Sequence, residues 1–256
     1  MRPIAGLDGW RHLELGAVGS TNTEAMELAQ NGDAGQLWVT ATEQLAGKAR
    51  RGRSWVSKPG NLYASLLLID PAPADQISNL PLVVSVALFE ALCSVAPLRN
   101  SLSIKWPNDL LLDGKKLSGL LLEASSDGHG RNAVVIGCGI NCLHAPDNPM
   151  YPATSLRDEG YTVGAGSLFG ALAIAMERSL RLWDQGRGFT SVRQQWLERA
   201  KGIGEHVTAR FSDGDISGRF ENMDERGRLV LKTDDGTVHH ISAADIFFGT
   251  SPSNES

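Results

Sequence analysis

The chain has 256 residues, 42% of them apolar and 21% charged, an ordinary globular balance that excludes disorder and collagen-like repeats. Its 24 Lys and Arg stand against 29 Asp and Glu, a net charge of −5, so non-specific wrapping of nucleic acid is disfavoured and any basic cluster has a local purpose. Three cysteines, Cys93, Cys138 and Cys142, are too few for a disulfide scaffold, the N-terminus has no apolar run of signal-peptide length, and the most apolar stretch, Pro81 to Leu98, falls short of the roughly 20 residues a bilayer requires, which points to a soluble protein of the cytoplasm.

Thr21 and Glu24 have capping-box spacing and open a short helix that runs to Gln30 and stops at Asn31-Gly32. Leu37 to Thr42 reads as a strand. Gln44 to Gly60 then carries three glycines and five basic residues with almost no large aliphatic side chain, the composition of a long functional loop. A strand is predicted over Leu62 to Ile69 and a buried helix over Leu82 to Val95. Leu102 to Leu112 and Lys115 to Glu123 make a hairpin around Asp113-Gly114, a type I′ turn pair. Ala133 to Ile140 is another strand, and helices over Ser167 to Trp183 and Thr190 to Ala200 complete a mixed α/β (α+β) domain assigned to residues 1–202. Past Lys201-Gly202-Ile203-Gly204, short strands over 206–211, 215–221, 228–232 and 238–241 alternate with Asp-Gly and Arg-Gly turns. They indicate a small β-barrel over 203–256, with a polar tail at 251–256 that frays.

Lys48, Arg50, Arg51, Arg53 and Lys58 place five positive charges in eleven residues with no acid among them. Such a density repels itself unless an anion is near. The composition supports equally a phosphate or carboxylate clamp, for which the Arg fork is suited, and a solvated or nucleic-acid-binding loop. No Walker A string is present, and Gly137-Cys138-Gly139-Ile140-Asn141 fails as a dinucleotide fingerprint, because Cys142 takes the third glycine position and no helix follows. Those glycines still allow close backbone approach. In the predicted hairpin Leu111 faces Lys116 and Asp109 faces Ser118, so Asp109 and Lys116 share a face as diagonal neighbours roughly 7–8 Å apart at the backbone. An exposed ion pair is the simpler reading of those two. Trp106-Pro107-Asn108 is a stiff polar insert between apolar strand residues, and Pro107 cannot donate to a ladder. Cys138 and Cys142 lack a zinc pattern, and His239 and His240 point to opposite sides of one strand.

Gly47-Lys48-Ala49-Arg50-Arg51-Gly52-Arg53-Ser54-Trp55 resembles the G-R-G-R-x-G-R-x-W loop of biotin–protein ligases, and Lys105-Trp106-Pro107-Asn108-Asp109-Leu110 with Lys116-Leu117-Ser118-Gly119 resembles that family's second signature. Ser20-Thr21-Asn22, Gln44, Gly60-Asn61-Leu62-Tyr63 and Gly137-x-Gly139-Ile140-Asn141 fall in the family's order, so the resemblance runs from about residue 10 to residue 247. It implies the biotin/lipoate ligase fold, akin to class II aminoacyl-tRNA synthetases, with an SH3-like C-terminal barrel. The implied reaction joins biotin to ATP, with Mg²⁺, as biotinyl-5′-AMP. A lysine of the biotin carboxyl carrier protein of acetyl-CoA carboxylase, or of another biotin-dependent carboxylase, then takes the biotinyl group.

Carried over by this resemblance, the catalytic residues are Lys116, Arg50 and Asp109, with Asp109 orienting or deprotonating the incoming lysine. Biotin is held by Ser20, Thr21, Asn22, Gln44, Lys48, Ala49, Arg50, Lys116 and Gly119. The nucleotide is held by Arg50, Arg53, Trp55, Asn108 and Asn141, with Lys48 also clamping phosphate. No metal ligands are assigned. The resemblance implies the monofunctional type, with no N-terminal DNA-binding domain, no DNA partner and no membrane, and it leaves a homodimer through an exposed sheet face open. Lys48-Ala49 replaces the family's Arg-Gly, and because alanine resists positive φ the expectation is a loop that holds the intermediate less tightly. Two rivals are a lipoate or octanoate ligase, which shares the fold and the acyl-adenylate chemistry, and a nucleic-acid-binding module. The second has only Trp55 and Tyr63 for base stacking near its basic run.

Overall fold

Side chains alternate across a strand, so a sheet buried on both faces needs apolar residues at successive positions, as in Leu-Tyr-Ala-Ser-Leu-Leu-Leu-Ile and Asn-Ala-Val-Val-Ile-Gly-Cys-Gly-Ile. In the computed structural model, which describes residues 1–128, 130–147 and 151–249, these two segments lie side by side at the centre of an eight-stranded sheet. Its strands are β1 (Arg2–Ile4), β2 (Leu7–Val18), β3 (Leu37–Gln44), β4 (Leu62–Ile69), β5 (Leu102–Lys105), β6 (Asp109–Leu112), β7 (Lys115–Ser126) and β8 (Asn132–Ile140), in the order β1-β2-β3-β4-β8-β7-β6-β5. Only β2 and β3 are parallel, and helix α1 (Thr21–Gln30) makes the crossover that parallel pairing requires. The polar tail at 251–256 lies outside the described residues.

The two sheet faces are covered unequally. Helices α3 (Leu80–Val95), α4 (Ala165–Trp183) and α5 (Phe189–Leu197) bury one face, with Leu66, Val134, Ile136 and Cys138 beneath them. On the other face α1 is the one helix that supplies cover among the described residues. Ala25 and Ala29 pack on Leu37, Val39, Leu67, Ala133 and Val135, and the sheet runs on past the helix. Short α2 (Ala74–Ile77) precedes α3.

A second, antiparallel sheet follows, in the order β12-β11-β10-β9-β13, from β9 (His206–Arg210), β10 (Asp215–Met223), β11 (Leu229–Lys232), β12 (Val238–Ile241) and β13 (Asp245–Phe248). Val207, Phe220, Leu229 and Leu231 from it join the same apolar core as α3 and the large sheet.

Sequence reading places most elements within a few residues, with exceptions that include short α2. It proposes nothing for β1 and β2, because polar residues and glycine interrupt Leu7–Val18 throughout and only Trp10 and His12 in it are buried. It omitted the four-residue β13. Leu102 to Leu112 is two strands rather than one: the chain reverses at Trp106-Pro107-Asn108, bringing Lys105 opposite Asp109. Pro107, which has no N–H for a ladder, sits where pairing stops. The predicted I′ turn is present, with φ of 47° at Asp113 and 77° at Gly114.

The β10–β11 turn docks the small sheet on the large unit. Trp106 Nε1 donates to the Gly227 carbonyl at 3.1 Å. Gly227 has φ +77°, and a Cβ there would lie 2.6 Å from Leu82 Cδ1, so only glycine fits. Asp224 organises this turn, accepting from the N–H groups of Arg226 and Arg228, from Arg228 Nε at 2.7 Å and from His240 Nδ1 at 2.9 Å. Burial works against the charged carboxylate, but those donors outweigh it and hold its pKa down at about 2. A depressed carboxylate pKa contributes stability above the ordinary value that is lost as pH falls through the folded value. Asp224→Asn is therefore expected to cost about 1–2 kcal/mol at neutral pH, allowing for screening. Urea-unfolding midpoints of variant and wild type should converge between about pH 4 and pH 2.

Candidate active site

The site begins where large side chains give out on the α1 face of the sheet. Along β8 the residues on this face are Ala133, Val135, Gly137 and Gly139, with Gly139 paired to Gly119 of β7 and Leu121 paired to Gly137. The three glycines leave a bare floor beyond the end of α1. A Cβ on Gly137 would collide with Asn22 Oδ1, and one on Gly139 would lie 2.6 Å from the Trp55 indole. This close approach is what the Gly137-x-Gly139 pattern was read to allow. A cavity of about 300 Å³ stands on the floor.

One wall is the start of α1. The predicted capping box is absent: Ser20 is the N-cap residue, and no side chain caps the helix. Thr21 Oγ1 lies instead 3.0 Å from Gln44 Oε1 and 2.7 Å from Ser65 Oγ, while Ser65 also meets Asn22 Oδ1 at 2.6 Å. Asn22 Nδ2 donates to Glu123 Oε2 at 2.7 Å, and Gln44 Nε2 donates to Ser57 Oγ at 3.0 Å. Ser20, Thr21, Asn22 and Gln44 thus line the cavity, and the last three belong to one hydrogen-bonded wall, fixed before a ligand arrives.

The basic loop is folded over the opening. Lys48 bridges to Ser54, Ala49 N–H donates to Arg53 O at 2.7 Å and Trp55 N–H to Gly47 O at 2.8 Å, around a single 3₁₀ turn at Arg50–Gly52. Ala49 has φ −127°, and the positive φ values fall on Arg51 and Gly52. The expected conformational penalty of alanine at 49 is therefore not present. Tyr63 pins the far end of the loop, donating from its hydroxyl to Lys58 O at 2.7 Å, and burial pushes its pKa up to about 12.

The anion that this density of cations requires comes from the small sheet. Asp245 of β13 accepts from Arg51 at 3.1 Å and Arg53 at 3.2 Å. Arg50 donates to Asn108 Oδ1 at 3.2 Å and to the Ala244 carbonyl at 3.3 Å. Lys48 Nζ reaches Thr23 Oγ1 at 3.2 Å.

Lys116 and Asp109 form an ion pair at 2.8 Å beside the floor. Their shared face was anticipated, but the register differs. A bulge makes Asp109 face Gly119 rather than Ser118, with Leu117 as the extra residue. Residues three apart on a regular strand point to opposite faces, so this bulge is what sets Lys116 beside Gly119. A Cβ on Gly119 would lie 3.3 Å from Lys116 Nζ.

Lys48, Ala49, Arg50, Arg53, Trp55, Asp109, Lys116, Gly119 and Asn141 all line this cavity. Asn108 does not. It is buried behind Arg50, donates to Leu120 O at 2.7 Å and lines the adjoining cavity instead. Burial raises the thiol pKa of Cys138 to about 12 and of Cys142 to about 11, so neither is a nucleophile. Among the described residues no three His, Cys, Asp or Glu side chains gather as a metal site, and no helix is long and apolar enough to cross a membrane.

The chain is 39% identical over 241 residues to the biotin–[acetyl-CoA-carboxylase] ligase of Paracoccus denitrificans, covering 92% of this chain and 99% of that one. It belongs to the biotin protein ligase family. Residues 16–141 match the Biotin/lipoate A/B protein ligase family and residues 202–249 the Biotin protein ligase C terminal domain. The bifunctional ligase/repressor BirA of Bacillus subtilis is 32% identical, with 91% of this chain and 72% of that one covered. The biotin protein ligase of Aquifex aeolicus, solved with biotin and ATP, superposes with a TM-score of 0.81 at 26% identity over 93% of this chain and 99% of that one.

Sequence reasoning missed Ser65, Glu123, Tyr151 and Asp245 of this ligase's cavity region, and it gave Lys105, which opens the second signature, no role. A serine inside an otherwise apolar strand was the available signal for Ser65. Asp245 carried none, because nothing local links it to a loop two hundred residues earlier. Gly137→Ala is expected to drive Asn22 off Ser65 and cost about 1–3 kcal/mol, as a misplaced methyl and a broken buried hydrogen bond do. Chemical denaturation checks the cost, and Gly16→Ala, where a Cβ meets no atom within 4 Å, is the control.

Proposed function

We propose that the chain attaches biotin to a lysine of a biotin carboxyl carrier protein in two steps, consuming ATP. The observation that carries this reading is the Lys116–Asp109 pair set against a glycine floor, between a preformed polar wall and an arginine-rich loop, in a chain of this family. In the first step a biotin carboxylate oxygen attacks the α-phosphorus of ATP. The bond from that phosphorus to the bridging oxygen breaks, and diphosphate leaves with the electron pair. The attack sets anion against anion, and fixed cations lower its barrier. In this reading Lys116 and Arg50 sit on either side of the reacting carboxylate and α-phosphate, Ser20, Thr21, Asn22 and Gln44 hold the ureido ring, and Lys48, Ala49 and Gly119 border the acyl chain. Arg53, Trp55, Asn141 and, through Arg50, Asn108 form the nucleotide side. Mg²⁺ enters bound to ATP.

In the second step the acceptor amine attacks the acyl carbon, AMP leaves, and an amide forms. Asp109 holds Lys116 through Oδ2, and its other oxygen accepts the proton of the amine. Covering the mixed anhydride against water is the role of the loop. We assign residues 1–202 to the catalytic unit and 203–256 to the C-terminal domain, with the reaction in the cytoplasm and acetyl-CoA carboxylase supplying the carrier.

Diphosphate–ATP exchange with biotin, lipoate or octanoate, and no carrier, tests this directly. Biotin alone should support exchange, and exchange with lipoate or octanoate instead would overturn the substrate. Lys116→Ala should lower exchange roughly 10²–10³-fold, the usual effect of removing one group that stabilises developing charge. Arg50→Gly should still adenylate but release biotinyl-5′-AMP, detectable in the filtrate of a spin column.

A further inference from the structure

Among the described residues, one cation that lines this cavity, Lys105, has no oxygen as a hydrogen-bond partner. Lys48, Arg50, Arg51, Arg53 and Lys116 each have a hydroxyl, amide, carbonyl or carboxylate acceptor. Lys105 lines the same cavity and, among the described residues, none of its three ammonium hydrogens has such a partner. Its Nζ lies instead 4.8 Å from the ring centre of Tyr151, 5.6 Å from that of Phe248 and 5.8 Å from that of Phe247. Aromatic faces attract a cation but do not replace its hydrogen bonds. Burial pushes the ammonium pKa down, against the pull of Asp109 and Asp245. A desolvated ammonium opening into a cavity is a standing site for an anion.

The register says which anion. Tyr63, Gly139, Gly119, Asp109 and Lys105 are successive partners across β4, β8, β7, β6 and β5, one straight row on the sheet. With strands about 4.8 Å apart, Lys105 stands roughly 10 Å from Gly119 at the backbone. Along this row come the bare floor, then the Lys116–Asp109 pair, then Lys105 at the edge facing the second sheet. On the reading given above, the acyl chain lies over the floor and the α-phosphate at Lys116, which leaves the β- and γ-phosphates to extend toward β5.

We propose that Lys105 binds the two outer phosphates of ATP and the diphosphate that leaves when the biotin carboxylate displaces it. Phe247 and Phe248 of β13, with Tyr151, hold the ammonium aimed into the cavity, so the C-terminal sheet takes part in the first step by positioning a leaving-group ligand. The proposal rests on the ligase reading, and its test separates the two half-reactions. Lys105→Met keeps the stem in its aromatic setting and removes the charge. In diphosphate–ATP exchange it should raise the KM for diphosphate and for ATP roughly tenfold or more, as loss of a charge-assisted hydrogen bond does. The Kd for biotin, and transfer from added biotinyl-5′-AMP to carrier protein, should stay within about twofold, since neither involves diphosphate. Lys105→Arg should recover most of the diphosphate KM. Wild-type KM values in Lys105→Met would overturn the proposal, as would equal losses in exchange and in transfer, which mark a structural role. Absence of biotin-dependent exchange in the wild-type protein would remove the ligase reading and this proposal with it.

Discussion

A side chain that is to act on a ligand lying flat against a sheet must share a face with residues that have no side chain at all. Strict alternation forbids this for Lys116 and Gly119, which stand three positions apart. The extra residue at Leu117 breaks the alternation once, and the ammonium swings to the face of Gly119, Gly137 and Gly139. Everything else at the site is arranged around that displaced side chain. Asp109 lies opposite Gly119, the start of α1 closes one side, and the basic loop closes the top.

Electrostatics then tie the two sheets together. The loop from Gly47 to Trp55 has no core of its own, and its guanidinium groups repel one another. Asp245 and the Ala244 carbonyl relieve that repulsion from the far end of the chain. The Trp106–Gly227 hydrogen bond and a shared apolar core fix the distance over which they do so. The small sheet is therefore part of the construction of the site.

The sequence made the outline legible because its strongest signals are local. Continuous apolar runs located β4 and β8, the Asp113-Gly114 pair located a turn, and the charge density of residues 47–58 marked a functional loop. What it concealed depends on register or on distant partners. One unpaired residue in β7 leaves no mark in composition. Thr21 and Glu24 look like a capping box until Gln44 and Ser65, far away in sequence, claim the threonine hydroxyl. Strand β2 escaped because only two of its twelve residues are buried, so its pattern is that of a solvated segment. Asn108 sits in a signature string beside true cavity residues, yet its side chain points behind them and braces Arg50.

Trp55 rests its indole on Gly119 and Gly139 and covers the bare floor. Its backbone is held on both sides, by the Gly47 carbonyl at its N–H and by the Ser57 hydroxyl at its own carbonyl. What remains free is rotation about the two side-chain torsions. Clearing the floor is then a rotamer change, nearer in timescale to side-chain flips than to rearrangements of whole loops. A binding step governed by one ring would run at a rate set by how tightly that ring packs, largely independent of the ion pairs that hold the loop above it.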